Sequence, residues 1–221
     1  MGLTVTSKGV INSGANANNY AFGAFTPSGN SPILVLGAKI NGANPAALVT
    51  DDQSNVWNIQ VSIGSSTAHT SLWTTQSPVA ASTIITVSFT GATGINAEVF
   101  EIPFGTLAQV NTAAGVSSAT PAVAMGGAFN TSSAGVAFLF SLVNPPAVTE
   151  PSGWTESSDT GHTLPTEGIE TAFINGGETG TTITWGSNSA EAWRAIVVEI
   201  LDNSPVGAAI RYFRRLLGVG Y

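Results

Sequence analysis

Apolar residues along this chain come in short runs bounded by turn-forming clusters, with the spacing of strands. Ile33–Ile40 (ILVLGAKI) is nearly continuous in apolar side chains, the pattern of a strand covered on both faces. Residues 56–63 alternate instead. Trp57, Ile59, Val61 and Ile63 fall on one face, and Asn58, Gln60 and Ser62 on the other. Further strand signals cover residues 82–89 and 97–102, then 134–143, 153–156, 169–174, 181–185 and 192–201. Turn clusters separate them: Ser28-Gly29-Asn30, Asn41-Gly42, residues 51–55, residues 91–94, Asn144-Pro145-Pro146 and Asn175-Gly176-Gly177. Short strands at this spacing, with no long amphipathic helix in the body, predict an all-β, jelly-roll-like β-sandwich.

The strand pattern repeats at a shift of roughly 100 residues. PSGNSPILVLGAKI (27–40) falls against NTSSAGVAFLFSLV (130–143), and Trp57 against Trp154. HTSLWT (69–74) falls against IETAFI (169–174), TVSF (86–89) against TITW (182–185), and AEVFEI (97–102) against AIVVEI (195–200). Two pseudo-repeats, about 1–105 and 106–203, are expected within one β-sandwich spanning 1–203. The junction around Pro103-Phe104-Gly105 is too short and apolar for a flexible linker. A half of four or five strands buries its edges and faces best against its twin.

After Leu201 the pattern changes to a helical one. Ser204 suits an N-cap and Pro205 the first helical position. Val206, Ala209, Ile210, Phe213, Leu216 and Leu217 then recur at steps of three and four, with Arg211, Arg214 and Arg215 on the opposite flank. A helix this short is marginal alone, so residues 204–221 form a C-terminal amphipathic tail that needs a surface to pack on. Val206, Ile210, Phe213 and Leu217 are its expected apolar contacts, with Arg211, Arg214 and Arg215 meeting acidic groups.

Composition sharpens this picture. Only 9% of residues are charged and 43% are hydrophobic, with Gly, Ser, Thr and Asn filling the polar positions. That mixture suits sandwich surfaces and surfaces buried against partners. All thirteen acidic residues lie at or before Asp202, opposed there only by Lys8, Lys39 and Arg194, so the body should repel nucleic-acid phosphates. The absence of cysteine excludes disulfides and thiolate metal sites. No run of apolar residues is long enough to cross a membrane, and MGLTVTSKG lacks the core of a signal peptide. Met1-Gly2 with Thr6 fits the permissive myristoylation pattern only formally.

Candidate chemistry is sparse. There is no nucleophile elbow, phosphate-binding loop or zinc-protease motif, and no metal or cofactor is expected. His69 and His162 do not occupy equivalent repeat positions and read as structural. Glu101 and Glu199 do, each preceding an isoleucine; a glycosidase needs only two carboxylates, but strand-end glutamates ordinarily satisfy loop amides. Residues 51–55 read as an Asp/Asn-rich turn and lack calcium-loop spacing. Of Trp57, Trp73, Trp154, Trp185 and Trp193, four fit core positions, and Trp73 is the candidate glycan contact. Asn130-Thr131-Ser132 fits a glycosylation acceptor, which matters only in a secreted protein.

The succession VTDDQSNVW (49–57), TVSF (86–89), Gly153-Trp154-Thr155, TITW (182–185) and AWRAIVV (192–198) resembles β-sandwich proteins encoded in tailed-phage structural gene clusters, over residues 30–201. The resemblance implies a virion part synthesised in the host cytoplasm, a capsid decoration (cement) protein. It would bind the major capsid protein on the capsid surface, often as a homotrimer, with no catalytic residues. The rival expectations are a tail or fibre module recognising host carbohydrate, tested at Trp73, and a glycan-acting enzyme, tested at Glu101 and Glu199.

Overall fold

The computed structural model describes residues 2–15, 17–29, 31–40, 48–65, 68–88, 94–115, 120–142, 148–164, 166–186 and 192–203. Every regular element among them is a strand. In chain order these are β1 (Thr6–Ser13), β2 (Asn19–Ala21), β3 (Ile33–Ile40), β4 (Leu48–Asp51), β5 (Asn58–Ser65), β6 (Ala68–Thr75), β7 (Ile85–Ser88) and β8 (Gly94–Glu101). They continue as β9 (Gly105–Gly115), β10 (Ala122–Ala124), β11 (Ala134–Ser141), β12 (Thr155–Thr163), β13 (Thr166–Ile174), β14 (Thr182–Thr184) and β15 (Trp193–Asp202). The expected C-terminal helix lies outside the described residues.

The strands form four antiparallel sheets. Two have five strands, in the orders β1-β8-β3-β6-β5 and β12-β13-β11-β15-β9. A three-stranded sheet, β2-β7-β4, and a two-stranded one, β10-β14, complete the set. Read from β9, the second large sheet runs β9-β15-β11-β13-β12. Its sequence of first, last and middle strands therefore follows that of the sheet read from β1.

Three apolar cores lie between the sheets. Leu34, Leu36, Leu72 and Phe100 on the inner face of the first large sheet meet Val136, Phe138, Phe140, Ile169, Ile196 and Val198 of the second. The outer face of the first sheet, with Ile33, Val35, Ile95 and Val99, is covered by Tyr20, Val49, Ile85 and Val87 of the three-stranded sheet. The outer face of the second, with Ala137, Leu139, Ala195 and Val197, is covered by Val123 and Ile183 of the two-stranded sheet and by Trp154 and Trp185. Central strands covered on both sides are rich in apolar residues, and β8 and β11 are buried throughout, the polar Asn96, Glu98 and Glu101 of β8 included. Burying each large side chain supplies roughly 1.5–3 kcal/mol before ordering costs.

Edge strands follow a different rule, and here the pattern misleads. The alternation over 56–63 places four apolar residues on one face, yet a β-bulge falls between Ile59 and Val61. Ile59 pairs with Trp73 toward the outer layer, whereas Val61 pairs with Leu72 toward the central core. The extra residue, Gln60, reverses the facing of everything after it. β12 carries a bulge at the corresponding place, between Glu156 and Ser158. β1 and β9, absent from the apolar pattern, pair with β8 and β15 as outermost strands.

Candidate functional site

Glu101 and Glu199 hold loops. Glu101 is buried at the end of β8, where its Oε1 accepts hydrogen bonds from the Ser28 N–H (2.6 Å) and Ser31 Oγ (2.7 Å). Lys8 Nζ reaches its Oε2 at 2.9 Å. Glu199 repeats the arrangement: Oε1 accepts from the Asn130 N–H (2.8 Å) and Ser133 Oγ (2.7 Å), and Oε2 from Gln109 Nε2 (2.6 Å). Burial alone would raise the pKa of Glu101. The donors from Ser28, Ser31 and Lys8 outweigh it and hold the carboxyl below its ordinary range. Each carboxylate ties down the turn preceding a central strand.

A polar seam joins the two large sheets where β1 and β8 lie against β12 and β13. Glu98, fully buried on the inner face, accepts from Ser7 Oγ (2.6 Å), Ser157 Oγ (2.5 Å) and Thr171 Oγ1. Ser157 is the extra residue of the β12 bulge, which turns its hydroxyl inward. Burial raises the pKa of Glu98, and these three hydroxyl donors only partly offset it. Further along, Asn12 Nδ2 donates to Thr160 Oγ1 (2.6 Å) and the Gly161 carbonyl (2.8 Å). Its Oδ1 is therefore the atom facing His162 Nδ1, at 2.8 Å.

That contact fixes the chemistry of the next pair. Nδ1–H donates to Asn12, leaving His162 Nε2 as an acceptor, 2.7 Å from Oε1 of the fully buried Glu167. Burial lowers the pKa of His162 and pushes that of Glu167 up to about 8. Burial thus disfavours charge on both partners, a protonated carboxyl lying beside a neutral imidazole near pH 7. Gly94 makes this approach feasible, because a Cβ there would lie 2.6 Å from both Glu167 Oε1 and His162 Nε2.

On the outer side of the same two strands, Glu150, Glu156 and the buried Glu170 converge, with one oxygen of each within 4.8 Å of the others. The β12 bulge brings Asp159 opposite Glu170 and leaves Glu156 opposite Ala172, on the same face. Burial first, then the charges of Glu156, Asp159, Glu150 and Glu98, pushes the Glu170 pKa up to about 9. Apart from Glu101 and Glu199, these glutamates were not singled out in the sequence. The available signal was a glutamate inside an otherwise apolar strand, as in GINAEVFE and TEGIETAFI.

The expected aromatic and loop residues fall as follows. Trp73 is half-buried and packs on the core between the first large sheet and its three-stranded cover. Trp57 Nε1 donates to Asp51 Oδ2 (2.7 Å), and Asp51 Oδ1 accepts from the Gln53 and Asn55 N–H groups, so residues 51–55 form a self-tied turn. Trp154 is buried, and its Nε1 donates to Glu178 Oε2 at 2.9 Å. His69 is buried with Nδ1 2.9 Å from Ser62 Oγ. Val206, Ile210, Arg211, Phe213, Arg214, Arg215 and Leu217 lie outside the described residues.

These features define an all-β protein of stacked antiparallel sheets whose inner carboxylates bind loops and layers together. No family model matches the chain, and no curated protein and no solved structure matches it.

Proposed function

We propose that this is a non-enzymatic virion structural protein, a capsid decoration (cement) protein that binds the major capsid protein and stabilises the head. We further propose that residues 1–203 are one jelly-roll-like β-sandwich built from two pseudo-repeats. The observation that carries the reading is the repeated tie at Glu101 and Glu199. The same carboxylate, in strands of matching position, takes the same backbone and hydroxyl donors at Ser28/Ser31 and Asn130/Ser133. Matching bulges in β5 and β12, and matching orders of the two large sheets, support it. Carboxylates engaged in this way serve rigidity, which suits a part that must bear load on a particle.

The amphipathic tail supplies the proposed contact with the capsid or with a neighbouring subunit in a homotrimer. Its apolar residues anchor, at roughly 1.5–3 kcal/mol for each large one, and its arginines orient, at about 0–1 kcal/mol for an exposed pair. Quantitative mass spectrometry of purified particles tests the reading: hundreds of copies per particle are expected. A few to tens of copies would instead favour a tail or fibre module. Removing residues 204–221 should abolish particle binding; unchanged binding and oligomerisation would refute the role of the tail.

The second reading, a carbohydrate-binding module, draws on the shallow open groove lined by Thr149, Glu150, Pro151, Ser152, Gly153 and Thr184. Glycan-array binding lost on Trp73→Ala, or on changes in this groove, would support it against the capsid reading.

A further inference from the structure

We infer that Glu150, Glu156 and Glu170 form a binding site for one hard divalent cation, calcium. The three carboxylates come from separate places in the chain: the segment leading to Trp154, the edge strand β12 and the neighbouring strand β13. Each presents an oxygen within 4.8 Å of the other two. Three carboxyl groups do not gather at that distance without a reason, since each disfavours ionisation of the others.

Glu170 points to a ligand. Its side chain is 1% exposed, its Oε1 is wholly buried, and no donor among the described residues reaches that atom. A buried carboxylate oxygen left in that state costs free energy unless something satisfies it. Glu98, Glu101 and Glu199 each accept three side-chain or backbone donors, whereas Glu167, another buried glutamate whose oxygens find no donor, lies against a single ring, that of His162. Glu170 faces two further carboxylates instead.

The first half lacks this set. If the halves are equivalent, as proposed above, the shift relating Trp57 to Trp154 places Gln53 and Ile59 where Glu150 and Glu156 stand. Matching the two bulged hairpins, with Ile59–Trp73 set on Glu156–Ala172, places Ser71 at Glu170, one residue off the sequence alignment of 69–74 with 169–174. A structural requirement of the fold would appear in both halves, whereas three acids acquired in one half mark a local addition. Only this comparison draws on the duplication, and no step depends on the virion reading.

All-oxygen ligation selects a hard cation, and size selects among them. Calcium binds oxygens at about 2.3–2.6 Å, so ligands on opposite sides lie close to 5 Å apart; magnesium, at about 2.0–2.1 Å, requires a tighter octahedron. The three oxygens lie within 4.8 Å of one another, a spacing that calcium's longer bonds and flexible coordination accommodate. Glu156 is exposed and Glu150 half-exposed, so the site opens to solvent and leaves room for water ligands.

The test uses the full-length protein, stripped with chelator and titrated with calcium chloride by isothermal calorimetry, with thermal unfolding in parallel. One saturable calcium per chain is expected below about 1 mM, with a melting temperature that climbs as calcium is added. Glu156→Gln and Glu150→Gln should each weaken binding at least tenfold without altering the circular dichroism. Glu170→Gln should abolish it. No saturable heat and no melting shift up to several millimolar calcium would overturn the inference. Undiminished binding in both Glu150→Gln and Glu156→Gln would also overturn it, by placing the ion elsewhere. Saturation by magnesium at equal or lower concentration would overturn the assignment to calcium.

Discussion

Glu167→Gln should convert a pH-dependent protein into a less dependent one. In the folded protein Glu167 holds its proton until about pH 8, against an ordinary value of 4.5. Because the folded pKa is raised, its contribution is fully present below the unfolded value. It is lost progressively as pH rises from about 4.5 through about 8. Over that window the folded state binds one more proton than the unfolded chain, so stability falls by up to about 1.4 kcal/mol per pH unit. The full gap would amount to about 5 kcal/mol, and relaxation around the ionised group should leave about 2–4 kcal/mol. Glutamine matches the protonated acid in shape and neutrality, and it does not titrate. The variant should therefore match wild type near pH 5 and exceed it near pH 8.5. His162, whose folded pKa is lowered from 6.5, loses its contribution as pH falls, but it is common to both proteins. Urea unfolding of both proteins at half-unit steps from pH 5 to 9, with unchanged m-values, gives the difference curve directly. A difference that does not grow with pH would refute the assignment of a buried, protonated Glu167.

Glu101→Ala and Glu199→Ala should each destabilise by about 2–4 kcal/mol in chemical denaturation, since each strands buried donors. A silent effect at one of them would argue against equivalent roles. Gly94→Ala should lower stability by about 1–3 kcal/mol, because its methyl group would separate Glu167 from His162; an unchanged melting temperature would contradict that contact. Trp154→Phe retains the edge-on packing against Phe129 but removes the bond to Glu178, and should cost about 1–2 kcal/mol by the same measurement.

The central strands were legible in the sequence because their two covered faces leave continuous apolar runs, as in ILVLGAKI and AGVAFLFS. The outermost strands were not. TSKGVINS and GTLAQVNTAAG present small and polar residues, and only their backbone pairing with β8 and β15 makes them strands. The bulge at Gln60 was invisible for a related reason: an extra residue leaves no compositional mark, yet it redirects Val61 and Ile63. The loop-tying role of Glu101 and Glu199 was readable from their matching positions. Glu98 and Glu170 were not, because their neighbours Ser7 and Glu150 come from distant parts of the chain, and Glu167 was not, because only the register of the β12–β13 hairpin sets it opposite His162. Trp73 looked free in the sequence because its neighbours along β6 are Leu72 and Thr74; the layer that packs on it comes from elsewhere in the chain.

The pairing of the opening strand of each half with its closing strand dictates an order of events during synthesis. Two residues separate β5 from β6, and two separate β12 from β13, so these hairpins can form as soon as they leave the ribosome. β1 has no such neighbour. Thr6 pairs with Glu101, so the strand waits while some ninety residues emerge and then closes a loop of that length. β9 waits in the same way for β15. Meanwhile β3 and β11, which await β8 and β15, present open edges, and the apolar inner face of the first sheet has nothing to cover it until the second is made. Such a chain folds slowly for its size and is most vulnerable to aggregation at the midpoint of translation, so expression should respond more to temperature and chaperone supply than its final stability would suggest.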